Sequence, residues 1–294
     1  MDEDEVRGLL RMEELIPVMA GALRELSAGK VVQPMRLVLP VTEHKGFFGV
    51  MPAYSGGALG AKLVTFYPEN EGIHTHHAMI LLFQPETGEP LVTMDGRLIT
   101  EMRTAAVSAV ATDSLARADA SVLAILGSGV QARSHLEALR IVRKFREVRV
   151  WSPRHSKEFC QRHGLSAAGS AEEAVRGADV IVVATAATAP VLMGKWLSPG
   201  AHVNAVGATR PAWRELDDDL LRKARIYVES CEAAMKESGD IIAAGQVFAE
   251  IGEVIAGSKN GRESDQEITL FKSVGVAAED IAAADLVCRK HLAI

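Results

Sequence analysis

A glycine-rich turn between an apolar run and a helical pattern limits the possible folds of this chain more than any other feature. The motif G-S-G-V-Q-A at positions 127–132 follows the apolar run Val122–Leu126 and opens a helical pattern that reaches about residue 145. In a G-x-G-x-x-A motif, the first glycine permits a tight turn, the second lets a pyrophosphate approach the backbone, and the alanine lets the helix pack on the strand. The helix N-terminus then offers free N–H groups to phosphate. We therefore predict a dinucleotide-binding strand–turn–helix.

The segments on either side of this motif differ in architecture. From about residue 121, short apolar runs alternate with helical patterns, which is typical of a parallel sheet with helices on both faces. Before that point, apolar runs follow one another with polar turns between them, and P-E-T-G at positions 85–88 is typical of a hairpin turn. We expect strands at 37–40, 47–51, 62–66, 79–83, 91–95, 122–126, 148–151, 180–184, 202–206 and 226–228. We expect helices at 6–26, 99–115, 130–145, 156–163, 171–176, 216–224 and 277–292.

The chain is long enough for two domains, since it has 294 residues. We predict an α/β fold in which residues 1–110 form an α+β domain and residues 111–275 form a Rossmann dinucleotide-binding domain. We expect residues 276–294 to pack back on the first domain.

The segment after the second predicted Rossmann strand bears on the choice between NAD and NADP. An NAD enzyme usually has Asp or Glu there, which accepts hydrogen bonds from the ribose hydroxyls. Here positions 151–157 read W-S-P-R-H-S-K, and the first acid is Glu158. Arg154 can pair bidentately with a ribose phosphate, and Ser152 can add a donor. We therefore predict NADPH as the cofactor.

Charge and composition argue against several other classes of function. The formal net charge is −6 and no long basic run occurs, so we expect no nucleic-acid partner. The apolar runs are too short to span a bilayer and the N-terminus lacks a signal-peptide pattern, so we expect a soluble, cytoplasmic protein. The three cysteines fit neither a disulfide framework nor a zinc spacing. His74, His76 and His77 lack the further ligands of a zinc site, so we predict no metal.

Several stretches of the sequence resemble the ornithine cyclodeaminase/mu-crystallin family, and its mu-crystallin members most closely. Besides the glycine loop, they are Q-P-M-R (33–36), G-V-M-P-A-Y-S (49–55), K-L-V-T-F-Y (62–67), R-T-A-A-V-S-A (103–109), N-A-V-G-A (204–208), W-R-E-L-D-D (213–218), K-E-S-G-D (236–240) and F-K-S-V-G (271–275). They cover nearly the whole chain in one order. The resemblance implies that the α+β domain binds substrate and forms a homodimer, and that the active site lies in the cleft between the domains.

The resemblance also implies the residues of the site. The substrate carboxylate would be held by three cations from separate segments, which is physically reasonable because arginine grips a carboxylate as a fork. The catalytic residues would be Lys62 and Arg103. The substrate-binding residues would be Arg36, Lys62, Arg103, Thr209 and His76. The cofactor-binding residues would be Thr104, Gly127, Ser128, Gly129, Val130, Gln131, Ser152, Arg154, His155, Thr185, Ala186, Val206, Gly207, Ser273, Val274 and Gly275.

One departure from the family bears on the reaction. Ornithine cyclodeaminases carry an Asp where this chain has Thr209, and a threonine is no general base near neutral pH. Asp217 and Asp218 stand nearby, but at a predicted helix start, where we expect them to cap the helix or face solvent. The resemblance therefore implies NADPH-dependent reduction of cyclic ketimine carboxylates, namely sulfur-containing ring ketimines, piperideine-2-carboxylate and pyrroline-2-carboxylate. Two alternatives stay open. One is NADPH-dependent binding of thyroid hormone with little or no turnover, and the other is an amino-acid dehydrogenase or cyclodeaminase activity.

Overall fold

A computed structural model of the protein describes residues 1–293 and divides the chain into two units. The first unit combines Met1–Arg103 with the residues from Gly275 onward, and the second unit is Thr104–Val274. The division falls within one helix, whereas the sequence placed the domain boundary at residues 110/111.

The first unit begins with two helices and continues with five strands. Its elements are α1 (Glu3–Leu9), α2 (Met12–Ser27), β1 (Leu37–Val41), a 3-10 turn (Thr42–His44), β2 (Gly46–Ser55), β3 (Ala58–Phe66), β4 (His76–Phe83), β5 (Pro90–Asp95) and the start of α3 (Arg97–Leu115). The single helix predicted over residues 6–26 is wrong, because Leu10 and Arg11 adopt extended backbone angles between α1 and α2. This break lets the Leu10 side chain enter the core.

The five strands form an antiparallel sheet in the order β1-β2-β3-β4-β5. Successive side chains of a strand point to opposite faces, so each face has its own composition. On the inner face lie buried side chains such as Met51, Lys62 and Ile80. The outer face is also apolar, yet Leu37 and Leu39 on β1 are 67% and 58% exposed. The outer face of this sheet is therefore apolar and partly exposed to solvent.

The second unit is a parallel sheet of eight strands in the order β12-β11-β13-β10-β9-β6-β7-β8. Its elements are β6 (Val122–Leu126), α4 (Val130–Val142), β7 (Glu147–Trp151), α5 (Ser156–His163), β8 (Ser166–Ala167), α6 (Ala171–Val175), β9 (Val180–Val183), a 3-10 turn (Gly194–Trp196), β10 (His202–Ala205), α7 (Asp218–Lys223), β11 (Ala224–Val228), α8 (Cys231–Glu237), α9 (Gly239–Ala244), β12 (Ala249–Glu250), α10 (Ile251–Ile255) and β13 (Ile268–Lys272). The central strands are buried along their whole length, as strands covered on both faces must be.

All ten predicted strands are present, each displaced by at most a few residues at its ends. Strands β8, β12 and β13 were not predicted, although β13 lies in the middle of the sheet between β10 and β11. The five residues of β13 follow a long polar segment without a helix pattern directly before them, so no strand–helix alternation marked it. The strand matters because Ser273–Gly275 follow directly from its carboxyl end.

The chain returns to the first unit through α11 (Ala277–Leu292). This helix covers the inner face of β2, β3 and β4 and packs against α2. Its buried side chains include Ile281 and Val287, and also the acids Glu279 and Asp280 in its first turn. Within residues 1–293, no helix is both long enough and apolar enough to cross a bilayer.

Candidate active site

Two basic side chains of the first unit meet a buried carboxylate on the inner face of the sheet. Lys62 lies on β3, where alternation places it inward, and only 2% of its surface is exposed. Its Nζ lies 2.5 Å from Oδ2 of Asp280. Arg103 reaches the same acid from α3, with its Nε 3.0 Å from Oδ1 of Asp280. Arg103 also places Nη1 2.6 Å from Oε2 of Glu279. The two acids of α11 therefore hold both cations.

Arg36 joins these residues through the backbone of the loop before α11. Its Nη2 donates a hydrogen bond of 2.5 Å to the carbonyl oxygen of Gly275. Gly275 has φ +72°, and a Cβ at this position would lie 2.5 Å from Nη1 of Arg103. Only glycine meets both conditions without strain. We call Arg36, Lys62, Arg103, Glu279 and Asp280 the cationic cluster, because three cations face two acids and one positive charge is in surplus.

The protonation states in the cationic cluster follow from burial and this surplus. Burial lowers the pKa of Lys62 to about 8, Asp280 opposes the shift, and Arg103 adds to it. Burial, followed by the charges of Lys62 and Arg103, lowers the pKa of His76 to about 4, so His76 is neutral at pH 7. For Asp280, burial opposes ionisation, but Arg103 and Lys62 hold the pKa of this carboxyl below its usual value. The cluster can thus bind an anion and, through Lys62, exchange a proton near neutral pH.

The glycine loop of the second unit has the geometry of a pyrophosphate site. Gly127 has φ +130°, and a Cβ there would lie 2.3 Å from the carbonyl oxygen of Ala184, so no other residue fits. A Cβ at Gly129 would meet no atom within 4 Å, which leaves open space beside the backbone. Gly129 caps the 13-residue α4 without a side-chain hydrogen bond, so the helix start keeps free N–H groups. These residues fit a bound dinucleotide phosphate.

The strand order places this loop where ligands bind in open α/β sheets. From β6 the chain moves to β7 on one side and later to β9 on the other, so the order reverses between β6 and β9. Ligands bind outside the carboxyl ends of the strands at such a point. The loop after β6 and Thr185 after β9 stand there. A cavity of about 630 Å³ that includes Arg225 and Ile268 lies at the amino ends of β11 and β13, which is the opposite edge.

The remaining predicted cofactor residues are found at the ends of the same strands. Ser128 and Ser152 share a hydrogen bond of 2.8 Å between their hydroxyls, which joins the loops after β6 and β7. Arg154 and His155 are exposed, and His155 Nδ1 lies 2.9 Å from Glu158. The second unit also contains Thr104, Val130, Gln131, Ala186, Val206, Thr209, Ser273 and Val274.

Among the residues described, no group of three or more His, Cys, Asp or Glu side chains is arranged to hold a metal.

The model of the ornithine cyclodeaminase/mu-crystallin family matches residues 1–293. The chain belongs to this family. It is 49% identical to the ketimine reductase mu-crystallin of Rattus norvegicus, over 98% of this chain and 95% of that protein.

Two solved structures of similar fold carry ligands. One is the Delta(1)-pyrroline-2-carboxylate reductase of Thermococcus litoralis in complex with NADH and L-proline, with a TM-score of 0.95 and 40% identity, covering 100% of this chain and 97% of that one. The other is an archaeal alanine dehydrogenase dimer with bound NAD, with a TM-score of 0.94 and 39% identity, covering 100% of this chain and 95% of that one.

Sequence reasoning missed the buried acids of both units. Glu279 and Asp280 stand in the first turn of α11, where acids are common because they complement the helix dipole, so the pattern gave no reason to single them out. Glu215, Asp240 and Lys272 are fully buried in the second unit but occurred only within stretches that resemble the family. The one available signal was the family pattern itself. Asp217 caps α7 through the backbone N–H of Leu220, as predicted.

Proposed function

We propose that the protein is an NADPH-dependent reductase of cyclic imino carboxylates. The observation that carries the proposal is the convergence of three cations, Arg36, Lys62 and Arg103, beside the two acids of α11, because a substrate carboxylate would balance the net charge of this cluster. Guanidinium and ammonium groups hold a carboxylate through charge-assisted hydrogen bonds, so a carboxylate is the ligand that suits the cluster. The relatives named as ketimine reductase and pyrroline-2-carboxylate reductase support the same substrate class.

Each cation would have its own part in the reaction. Arg36 and Arg103 would grip the carboxylate, because guanidinium groups match its geometry. Lys62 would hold a proton beside the imine nitrogen, since its pKa of about 8 leaves it mostly charged at pH 7. An iminium accepts hydride more readily than a neutral imine, so keeping this proton in place is the chemical contribution of Lys62. NADPH would supply the hydride when it is bound.

The loops of the second unit would bind the cofactor and fix its position. The start of α4 would hold the pyrophosphate, and Thr185, Val206, Gly207 and Ser273 would line the nicotinamide half. The ribose phosphate would be held by Ser152 and the exposed Arg154, since no acid stands at the end of β7. Positioning two reactants against each other is a large part of such catalysis.

Thr209 supports reduction over deamination. It follows Ala208, whose φ of +51° is unusual for a residue other than glycine. A threonine hydroxyl can donate and accept hydrogen bonds, but it does not titrate near neutral pH, so it cannot activate an amine or water as a base. Thr209 and the neutral His76 would complete the substrate-binding set.

The exposed outer face of the first unit supports a homodimer. Leu37, Leu39, Met79 and Leu91 on this face are all exposed in the single chain. Contiguous apolar surface of this kind is typical of an interface. A similar structure is described as a dimer. In a sedimentation experiment, the wild type should be a dimer and the Leu37→Glu, Leu39→Glu double variant should be a monomer.

We expect the protein to act in the cytosol, where its three free cysteines stay reduced.

The activity is tested by following NADPH absorbance with piperideine-2-carboxylate and with pyrroline-2-carboxylate. We expect rapid oxidation of NADPH, slower oxidation of NADH, and loss of both in an Arg103→Ala variant. Absence of turnover with any cyclic ketimine, together with tight binding of an iodinated thyronine, would favour the hormone-binding alternative. Ammonia-dependent reduction of an open-chain keto acid would favour an amino-acid dehydrogenase.

Two glycine variants test the cofactor site separately from the fold. Gly129→Ala should leave the unfolding midpoint unchanged, because its Cβ meets no atom within 4 Å, but should weaken NADPH binding by occupying the phosphate space. Gly127→Ala is the matched contrast, and it should destabilise the fold itself, because its Cβ meets Ala184 and its φ is positive. Unchanged NADPH binding in Gly129→Ala would contradict the assignment of the loop.

The preference for NADPH is tested at Arg154. Replacement by alanine should raise the Kd of NADPH by about tenfold, the size expected for one exposed charge-assisted contact, and leave that of NADH unchanged. Equal changes for both cofactors would mean that Arg154 does not read the ribose phosphate.

A further inference from the structure

A second group of buried charges lies in the second unit, below the ends of three neighbouring strands. Glu215, Asp240 and Lys272 have no exposed surface. Lys272 is the last residue of β13, Asp240 belongs to α9, and Glu215 precedes α7. We call these three residues the strand-end cluster.

Glu215 binds the loop that follows β9. Its Oε1 accepts a hydrogen bond of 3.0 Å from the backbone N–H of Thr185 and one of 2.6 Å from the Thr185 hydroxyl. Both donors of one residue therefore depend on a single carboxylate oxygen. The same oxygen lies so close to Gly207, after β10, that a Cβ there would be 2.3 Å from it.

The other two members fix the surroundings of this carboxylate. Lys272 donates through Nζ to the carbonyl oxygen of Gly207. Asp240 accepts hydrogen bonds of 3.1 Å from the backbone N–H groups of Glu215 and Leu216. The residue after Gly207, Ala208, keeps its left-handed φ of +51° in this setting. Such a conformation persists when its surroundings determine it. The cluster thus ties the loops after β9 and β10 to each other and to β13.

We propose that Glu215 is a positioning residue that fixes the Thr185 and Gly207 loops for the nicotinamide half of the cofactor. This inference rests on the proposed function, which places the nicotinamide beside these loops. Glu215 acts through them, because its own carboxyl group is buried beneath the loops. The remaining oxygen, Oε2, has no hydrogen-bond partner among residues 1–293.

The position of Glu215 also makes the loops sensitive to pH. Burial raises the pKa of Glu215 to about 7, while Lys272 and the Thr185 hydroxyl oppose this shift and Asp240 adds to it. An ionised acceptor forms roughly twice as strong a hydrogen bond as a neutral one. The Thr185 loop should therefore be held more firmly at pH 8 than at pH 6, and the nicotinamide half should bind more tightly there.

A Glu215→Gln variant tests this inference by comparing NADPH with 2′,5′-ADP, which lacks the nicotinamide. Glutamine keeps a neutral acceptor oxygen, so the variant should resemble the wild type at pH 6. We expect its Kd for NADPH at pH 8 to be about fivefold above that of the wild type, which corresponds to about 1 kcal/mol. Its Kd for 2′,5′-ADP should equal that of the wild type. In the wild type, the affinity for NADPH should increase more between pH 6 and 8 than the affinity for 2′,5′-ADP does. In the variant, the two affinities should change by the same factor.

The matched control is Asp217→Asn, two residues away, which weakens the cap of α7 and the hydrogen bond to Gly194. It should lower the melting temperature and leave the ratio of the two dissociation constants unchanged. Unchanged NADPH binding in Glu215→Gln, or equal weakening of NADPH and 2′,5′-ADP, would overturn the inference. Failure of the wild type to bind NADPH at all would instead contradict the proposed function.

Discussion

The cationic cluster of the first unit and the strand-end cluster of the second are both buried ionic groups, but they carry opposite surpluses. The cationic cluster sets three cations against two acids. At the strand-end cluster, Lys272 and the neighbouring Arg214 face three acids, Glu215, Asp240 and Glu229. In the strand-end cluster the surplus is relieved from within, because the raised pKa of Glu215 lets a proton neutralise it. In the cationic cluster the arginines keep their protons, and Lys62, whose pKa is about 8, keeps its proton in most molecules at pH 7, so an anion is the partner that neutralises the surplus there. A surplus of buried charge therefore indicates a ligand only where gain or loss of a proton does not remove it at the working pH.

The largest effect should come from removing an arginine from the cationic cluster. Arg103→Met would leave Glu279 and Asp280 buried without their guanidinium partner, and breaking such a pair costs about 3–5 kcal/mol. Chemical denaturation at pH 7 measures the loss in unfolding free energy. The control is Arg176→Met, whose pair with Glu172 is exposed and worth at most about 1 kcal/mol. Similar losses in both variants would mean that Arg103 is not tightly coupled to Glu279 and Asp280.

The strand-end cluster should show its effect through pH. The pKa of Glu215 is raised in the folded state from 4.5 to about 7, so its contribution to stability is complete below pH 4.5 and is lost as the pH rises through 7. Glu215→Gln cannot ionise, so its stability relative to the wild type should increase as the pH rises from 4.5 to 7 and should exceed that of the wild type by about 3–4 kcal/mol at pH 8. Melting temperatures of both proteins across pH 5–8 test this. Parallel curves would contradict the proton-based relief of the surplus.

Lys62 should determine the basic limb of the pH–rate profile. Because its pKa is about 8 in the free protein, kcat/KM should fall above pH 8 as the proton is lost. Asp280→Asn removes the charge that raises this pKa, so the limb should move down by about one pH unit, or about 1.4 kcal/mol. Lys62→Arg keeps its charge and should lose the limb altogether, whatever its residual rate. A limb at the same pH in all three proteins would show that another group titrates.

The smallest effect should be that of His76. Its pKa of about 4 makes it neutral from pH 6 to 8, so it does not add to the surplus charge. His76→Asn should change the Kd of a carboxylate ligand such as L-proline by no more than about fivefold, as for one neutral hydrogen bond. Isothermal titration at pH 6, 7 and 8 measures this. An inflection in wild-type binding near pH 6.5 that disappears in the variant would show that His76 carries charge.

The parts of the fold that follow from local pattern were predictable from the sequence. The glycine loop needs particular residues at fixed spacing, and the alternation of strands and helices identified the parallel sheet. The resemblance named Arg36, Lys62 and Arg103, and the structure places them in one cluster, while their binding of substrate stays a prediction. Their acids could not be found in the same way, because Arg103 and Asp280 are separated by 177 positions. Pairing over such a distance leaves no periodic trace.

The strand-end cluster shows the same limit in another form. Glu215, Asp240 and Lys272 stand on three different segments, and each would be an ordinary surface charge if judged by its neighbours in the sequence. Strand β13 was missed for a related reason, since no helix pattern directly precedes its five residues. Whether a charged side chain is buried depends on which strands become neighbours. The order of the strands in a parallel sheet cannot be predicted from the sequence of any one segment.

The first unit is built from two segments that lie at opposite ends of the chain, so its parts leave the ribosome at different times. The second unit is continuous from Thr104 to Val274, so all of it has been synthesised before α11 begins. The sheet of the first unit emerges earlier, yet the helix that covers its inner face comes last. More than 170 residues are therefore synthesised after Lys62 and Arg103 before their counter-ions, Glu279 and Asp280, are added to the chain. During that interval the inner face of the sheet lacks its covering helix, and transiently exposed apolar surface of this kind favours aggregation.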